Sequence, residues 1–335
     1  MVVIDVTRAY EDLLSREEEI TAAVRTSVCL LGDDHPVLAD AVARLLHSDR
    51  SKASVSRLLP FPVLGALGGD PDRALPLAVA SRIWWTGAEV FDDLADGQYN
   101  AASTGLSTAQ ASIASAACLA LVPLTVLDQY ALPPHLRSSW GRECVDSSLH
   151  AAEGQLADVS AESGFPSWAT VMRTYAGKSG APYARDAVMA AQLAGAGEEL
   201  LRGWRAFGRL FGVVRQLAND RAAESAETDE DLINGTPTLL LAHAAESAAG
   251  TAEWDTLTSL RVRARHDPAA RVAFGEWLNT PDVSVTYNQR IRSVHRHMCL
   301  LLEKLAPPSE DRDLIRWMLE ASAKASRLGA TEDTA

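Results

Sequence analysis

The chain has 335 residues, 47% of them apolar, and a formal net charge of −13. That length can bury one large core, while the acidic surface repels nucleic acid and anionic lipid and excludes both as general partners. Abundant Ala, with Gly and Pro mostly between helical stretches, suits an all-α bundle better than a sandwich or an α/β sheet.

The first residues, MVVIDVTRAYEDLL, lack a basic stretch followed by an apolar one, so no signal peptide is expected. Apolar periodicity predicts helices over Thr7–Leu31, from Pro36 to His47, over Leu58–Leu67 and over Pro71–Ala95. The acidic pair Asp33-Asp34 reads as an ordinary turn. Further helices are predicted over Ser107–Tyr130, His135–Val159, Ser167–Gly177, Pro182–Ala194 and Glu198–Glu224. The last group covers Pro237–Ala248, Glu253–Arg265, Pro268–Trp277, Val283–Leu305 and Ser309–Leu328.

Gly97 to Leu127 carries no charged residue but holds Gln98, Asn100, Gln110 and several Ser and Thr. It is too polar for a membrane span and is expected to be buried by protein on all sides, with no transmembrane segment in the chain. No alternating strand pattern is present, and the one Asn-Gly dipeptide, Asn234-Gly235, lies between helical segments. Without repeats or a linker, the expectation is one domain over 1–328 and a disordered tail over 329–335. Cys29, Cys118, Cys144 and Cys299 show neither zinc-ligand spacing nor a compact disulfide framework. Free thiols in a cytoplasmic protein are expected.

Two acidic clusters close long apolar helices. Asp92, Asp93 and Asp96 form DDxxD, and residues four apart on a helix share a face, so Asp92 and Asp96 point the same way. Carboxylates so close repel one another unless cations sit between them, and Mg²⁺ accepts such oxygens while bridging to phosphate. Taken alone, DDxxD fits a solvated acidic helix end equally well. The second cluster holds Asn219, Asp220, Glu224 and Glu227, with Asn219 and Glu227 eight residues apart and so near one helical face. Gly208 and Gly212 fall close to that face and leave space for something packed against the backbone. Facing one another in a bundle, the two ends would make an inward-looking metal site.

In order along the chain, several pieces resemble the trans-isoprenyl diphosphate synthase and class I terpene synthase superfamily. Arg57 to Pro60 with Ala66-Leu67-Gly68-Gly69-Asp70 is similar to the helix after its GGKRxRP motif, and Asp92-Asp93-x-x-Asp96 to its first aspartate-rich motif. Gly154-Gln155-x-x-Asp158 resembles its GQxxD helix and Lys178-Ser179-Gly180 its KT(G/A) step. Phe211-Gly212 and Gln216-x-x-Asn219-Asp220 resemble the helix carrying its second motif, and the stretch from Asp231 to Leu239 resembles the segment after that helix. The resemblance covers roughly Leu58 to Leu241 and implies the isoprenoid synthase fold around a central cavity.

The departures are informative. The family's Lys and second Arg of GGKRxRP are Ser56 and Leu59 here, and the Arg-Arg-Gly step after the first motif is a cation-free Tyr99 to Gly105. The Lys of a later GKxT motif is Thr236. Groups that grip isopentenyl diphosphate are thus missing, although Lys52 lies near enough to substitute in part. The second motif matches the terpene synthase NDxxSxxxE at Asn219, Asp220 and Glu227, with Ala223 at the serine position. Arg173 stands where terpene synthases carry a diphosphate-sensing Arg.

These likenesses imply a terpene synthase that ionises one allylic isoprenoid diphosphate, geranylgeranyl or farnesyl, with three Mg²⁺ ions on Asp92, Asp96, Asn219, Asp220 and Glu227. Asp93, Arg173 and Lys178 complete the implied catalytic set, and Arg57, Gln155, Arg215 and Gln216 the polar substrate contacts. Trp84, Trp85, Ala88, Phe91, Tyr175 and Phe211 would wall the hydrocarbon pocket, with Gly208 and Gly212 beside it. Gly87 and Ala88, one turn below Asp92, would let a chain pass to a floor at Trp84 and Trp85. For any one wall residue ordinary core packing is the plainer expectation. Arg215 and Arg221 fit surface ion pairs as well, and Gln155 and Asp158 a helix–helix hydrogen bond. The same motifs also fit two rival functions: a prenyltransferase, and a catalytically inactive partner of one. The family's habit implies a homodimer.

Overall fold

The structure, a computed structural model, describes residues 6–47, 55–160, 164–220 and 225–327. Lys52, Arg221, Ala223, Glu224 and the tail over 329–335 lie outside the described residues. Among those described there is no strand, and the fold is all-α as expected.

In chain order the helices are α1 (Val6–Asp34), α2 (Pro36–His47), α3 (Pro60–Ala66), α4 (Leu75–Ala95), α5 (Ala101–Thr104), α6 (Thr108–Ala120) and α7 (Val122–Asp128). They continue as α8 (Pro134–Val159), α9 (Trp168–Tyr175), α10 (Ala181–Leu193), α11 (Glu198–Asn219) and α12 (Glu230–Asn234). The last are α13 (Leu239–Ala248), α14 (Trp254–Ala264), α15 (Pro268–Leu278), α16 (Pro281–Leu305) and α17 (Glu310–Ala325). Short 3₁₀ turns at Val55–Leu58 and Pro71–Ala74 precede α3 and α4.

Caps explain most starts. Asp70 accepts from Asp72 N ahead of Pro71, and Ser107 and Gln110 form a reciprocal capping box on α6. Asp229 caps α12, Asp267 caps α15, and Gly235 closes α12 at φ 74°, a left-handed conformation that side chains avoid.

Three elements depart from expectation. The single helix predicted over Ser107–Tyr130 is two, α6 and α7, bent by 46°. Pro123 has no N–H for the Leu119 carbonyl, and the Ser148 hydroxyl donates to that carbonyl instead at 2.9 Å. The stretch is not buried on all sides either: Ile113 is 70% and Leu121 63% exposed. After α9, residues Ala176–Gly180 widen into a π-helical turn. Pro182 comes next but one, lacking the N–H that would close the ordinary turn on Lys178. Last, α11 stops at Asn219 rather than running to Glu224. A helix C-terminus repels carboxylates and an N-terminus attracts them. Asp229, Glu230 and Asp231 instead open α12.

The chain divides into two compact units. The first comprises Met1–Leu149, Pro182–Gly208 and Glu303–Met318. In it α4 packs closely on α6: a Cβ on Gly87 would stand 2.7 Å from Cys118 Cβ, and Ser115 donates to the Gly87 carbonyl at 2.7 Å. The second comprises His150–Ala181, Arg209–Leu302 and Leu319–Ala335. Its core gathers Val171, Tyr175, Leu217, Leu239, Phe274 and Tyr287 with their neighbours. No single helix among the described residues is long and apolar enough to cross a membrane.

Candidate functional site

In the first unit the site is built on the C-terminal turns of α4. Asp96 N donates to the Asp92 carbonyl at 2.9 Å, so the helical register holds through DDxxD and Asp92 and Asp96 share a face. Below them Trp85 meets Trp84 edge-on with centroids 5.2 Å apart and Tyr183 at 5.2 Å. Trp84 is buried, and its Nε1 donates to Ser148. Arg57 forms an ion pair with Glu89 and lies 4.9 Å above the Trp85 ring. Ser56 is buried against the Tyr183 hydroxyl at 2.9 Å, and Leu59 is fully buried.

Two expectations in this unit change. Gly87 offers no passage for a hydrocarbon chain, because α6 fills its space. Phe91 is 42% exposed and so is no buried wall. Ala88 is half-buried. A Cβ on Gly208 would meet Ala184 Cα at 2.5 Å, so the room it leaves is taken by α10 backbone.

In the second unit a polar network links α8, the π-helical turn and α11. Tyr175 donates its hydroxyl to Asp220 at 2.6 Å, Gln216 Nε2 donates to the other Asp220 oxygen at 2.9 Å, and Ser179 donates to Gln216 Oε1 at 2.6 Å. Lys178 pairs with Asp158 at 2.9 Å. Glycines make this possible: a Cβ on Gly154 would run into the Lys178 backbone, and one on Gly212 would stand 2.6 Å from Gly180 Cα. Gly212 therefore serves close helix packing, and Phe211 is fully buried in the core.

The electrostatics of this network are unbalanced. Burial pushes the Asp220 carboxyl up to about 6, with Asp158 adding to the rise and Tyr175, Gln216 and Lys178 opposing it. Asp231 is raised well above the usual carboxylate range by burial and then by Asp220, Asp229 and Asp158. The Tyr175 hydroxyl is raised well above its usual value by burial and by Asp220. One oxygen of Asp158 is buried with no hydrogen-bond partner. Asp158, Asp220, Asp229 and Asp231 thus bear on one another, and among the described residues Lys178 is the cation that offsets Asp220 and Asp231.

Not every expected residue joins. Asn219 and Glu227 are exposed, and Glu227 sits in a turn beyond α11, so the eight-residue helical spacing does not align them. Arg271 donates to the Glu227 carbonyl at 2.9 Å. Arg173 is exposed and donates to Thr170 on its own helix, while Arg215 reaches Ser322 of α17 at 3.4 Å. Gln155 is half-buried on α8. Asp231 joins this network although sequence reasoning gave it no site role; it stood there only as the start of the segment resembling the one after the second motif.

These residues fit a hard divalent cation. Among the described residues no three His, Cys, Asp or Glu side chains are arranged to hold a metal ion. Mg²⁺ in diphosphate enzymes takes one or two carboxylates with waters and phosphate oxygens. Asp92 and Asp96 share a face of α4 in the first unit, and in the second Asp220 and Asp231 are buried near Asp158, so each unit by itself offers carboxylates of that kind. The thiols stay out of it: all four cysteines are free, with Cys118 raised to about 12 and Cys144 to about 11 by burial.

Neither a protein-family model nor a curated protein sequence matches the chain. Solved structures do. Polyprenyl synthetase from Streptomyces coelicolor A3(2) aligns with TM-score 0.78 at 20% identity, over 93% of this chain and 99% of its own. Geranylgeranyl pyrophosphate synthetase from Pyrococcus horikoshii Ot3 gives 0.76 at 19%, over 94% and 99%. A geranylgeranyl pyrophosphate synthase from Corynebacterium glutamicum, solved with isoprenyl diphosphate and magnesium, gives 0.73 at 17%, over 97% and 100%. The chain therefore has the all-helical isoprenoid synthase fold that these diphosphate synthases share.

Proposed function

We propose that the chain is a magnesium-dependent cytoplasmic enzyme of allylic isoprenoid diphosphates, acting as a prenyltransferase of the isoprenyl diphosphate synthase kind. The observation that carries it is the excess of buried carboxylate around Lys178, which calls for divalent cations. The solved neighbours support transfer ahead of the single-substrate cyclisation favoured by the motif departures. Within the first unit Asp92 and Asp96, and within the second Asp220, are the acids assigned to Mg²⁺, with 1–328 taken as the catalytic chain.

Bound Mg²⁺ supplies neutralisation of the charge that grows on the leaving diphosphate. The protein does the rest. Tyr175 and Gln216 hold Asp220 in place by donating to its two oxygens. Lys178, half-buried beside Asp158, is the cation placed to meet phosphate oxygens by charge-assisted hydrogen bonds. The Trp84 and Trp85 rings already face guanidiniums, Arg185 at 5.1 Å and Arg57 at 4.9 Å, so these aromatic faces serve the protein's own cations.

Cyclisation of geranylgeranyl or farnesyl diphosphate remains the second reading, on one observation: buried Ser56 and Leu59 offer no charge to a second diphosphate. Incubation with geranylgeranyl diphosphate and Mg²⁺, without and then with isopentenyl diphosphate, separates the two. A longer diphosphate in the second incubation supports transfer. Hydrocarbon or alcohol in the first supports cyclisation, and no turnover in either refutes both.

A further inference from the structure

Asp231 enters the carboxylate cluster on a helix that cannot hold itself. α12 has five residues, none of them fully buried, with Leu232 packed on the core. An isolated helix of that length is unstable in water. Its caps are local: Asp229 accepts from Leu232 N at 3.1 Å, and the Asp231 carbonyl accepts from Gly235 N and from Thr236 N, the latter at 2.9 Å. Yet the Asp231 carboxylate lies close enough to Asp220, Asp158 and Lys178 for their charges to act on it.

What fixes α12 from outside is Arg261 on α14. The residue is 6% exposed, and its guanidinium donates to the Gly235 carbonyl at 3.4 Å and to the Gly164 carbonyl. It lies 4.7 Å from the Phe165 ring, which meets Trp254 at 5.1 Å. Burying a guanidinium is costly, and an apolar side chain would fill the same space without that cost. Here the charge ties two loops that flank the cluster: Gly164 leads into α9, which carries Tyr175, and Gly235 closes the helix that carries Asp231. Arg271, partly exposed, holds the chain at the Glu227 carbonyl, ahead of α12.

We infer that Arg261 is a positioning residue: it latches the C-terminal end of α12 and so keeps the Asp231 carboxylate beside Asp220. The part that concerns ligand rests on the reading of this cluster as a Mg²⁺–diphosphate site, while the latch is tested without metal. Arg261→Met keeps the apolar stem and removes both bonds.

Hydrogen exchange of the full chain in EDTA, read by mass spectrometry, is the first measurement. In Arg261→Met the amides of residues 231–236 are expected to exchange at least about tenfold faster than in the native chain, with those of α13 unchanged. Equal exchange over 231–236, or acceleration spread evenly over both segments, overturns the inference. The second measurement is calorimetric titration with Mg²⁺ and inorganic pyrophosphate. Asp231→Asn and Arg261→Met are each expected to weaken binding by about tenfold, and the double variant by no more than Asp231→Asn alone. Losses that multiply, or either single variant binding like the native chain, overturn the positioning role. If Arg261→Met does not fold, Gly235→Ala, which strains the left-handed turn at φ 74°, takes its place in both measurements. If the native chain binds no Mg²⁺–pyrophosphate, the site reading fails, and exchange alone decides whether Arg261 is the latch.

Discussion

At neutral pH the ionised Asp220 carboxylate strains the metal-free protein, and Asp220→Asn measures by how much. The side chain is half-buried, and its carboxyl is raised from 3.8 to about 6 by burial first. At 1.36 kcal/mol per pH unit the difference is about 3 kcal/mol, an upper figure because part of the group still meets water. A folded-state value above the unfolded one means that the folded chain holds a proton the unfolded chain releases. The stabilisation is full below the unfolded value of 3.8 and is lost as the pH rises through about 6. Asp231, raised partly by Asp220, relaxes in the same variant and adds in the same direction. Urea unfolding in EDTA of the native chain and Asp220→Asn, stepped from pH 4 to pH 7, gives the difference between them with the other titrations cancelled. The native chain is expected to lose about 2.4 kcal/mol relative to the variant over that range. A difference that stays constant within about 0.5 kcal/mol refutes the electrostatic account of this cluster.

The same contacts set other outcomes. Tyr175→Phe removes a donor to Asp220, so the Asp220 transition moves to higher pH, and stability at pH 7 falls by about 1.5–3 kcal/mol in urea unfolding. Gly154→Ala drives a methyl into the Lys178 backbone and is expected to cost about 1–3 kcal/mol, read from the urea midpoint. Asp92→Asn and Asp96→Asn should each lower Mg²⁺-dependent turnover by about 100-fold or more, with the urea midpoint of Asp96→Asn nearly unchanged because Asp96 is exposed at the helix end.

Much of the fold was legible because it is written in local chemistry. Apolar periodicity placed α2, α8, α13 and α16 within a few residues, and cap residues such as Asp267 before Pro268 fixed starts. The split of α6 from α7 was written in Pro123, but its tolerance depended on Ser148, a partner 29 residues away from Leu119 that no local pattern reveals. The site was legible by halves. Spacing predicted the shared face of Asp92 and Asp96, and the helical register of α4 keeps it. It misplaced the role of Gly208 and Gly212, whose missing side chains admit a neighbouring backbone instead of a ligand. Helical spacing beyond Asn219 failed because a run of carboxylates disfavours a helix C-terminus and favours the next N-terminus.

The most direct measurement is single-turnover incubation of the purified chain with geranylgeranyl diphosphate and isopentenyl diphosphate together, with and without Mg²⁺, coupled to product analysis and repeated with Asp92→Asn and Asp220→Asn. Magnesium-dependent release of pyrophosphate by the native chain, lost in either variant, is the predicted result. Release that is indifferent to Mg²⁺, or that survives loss of either carboxylate, would contradict the assignment of both acidic clusters to diphosphate activation.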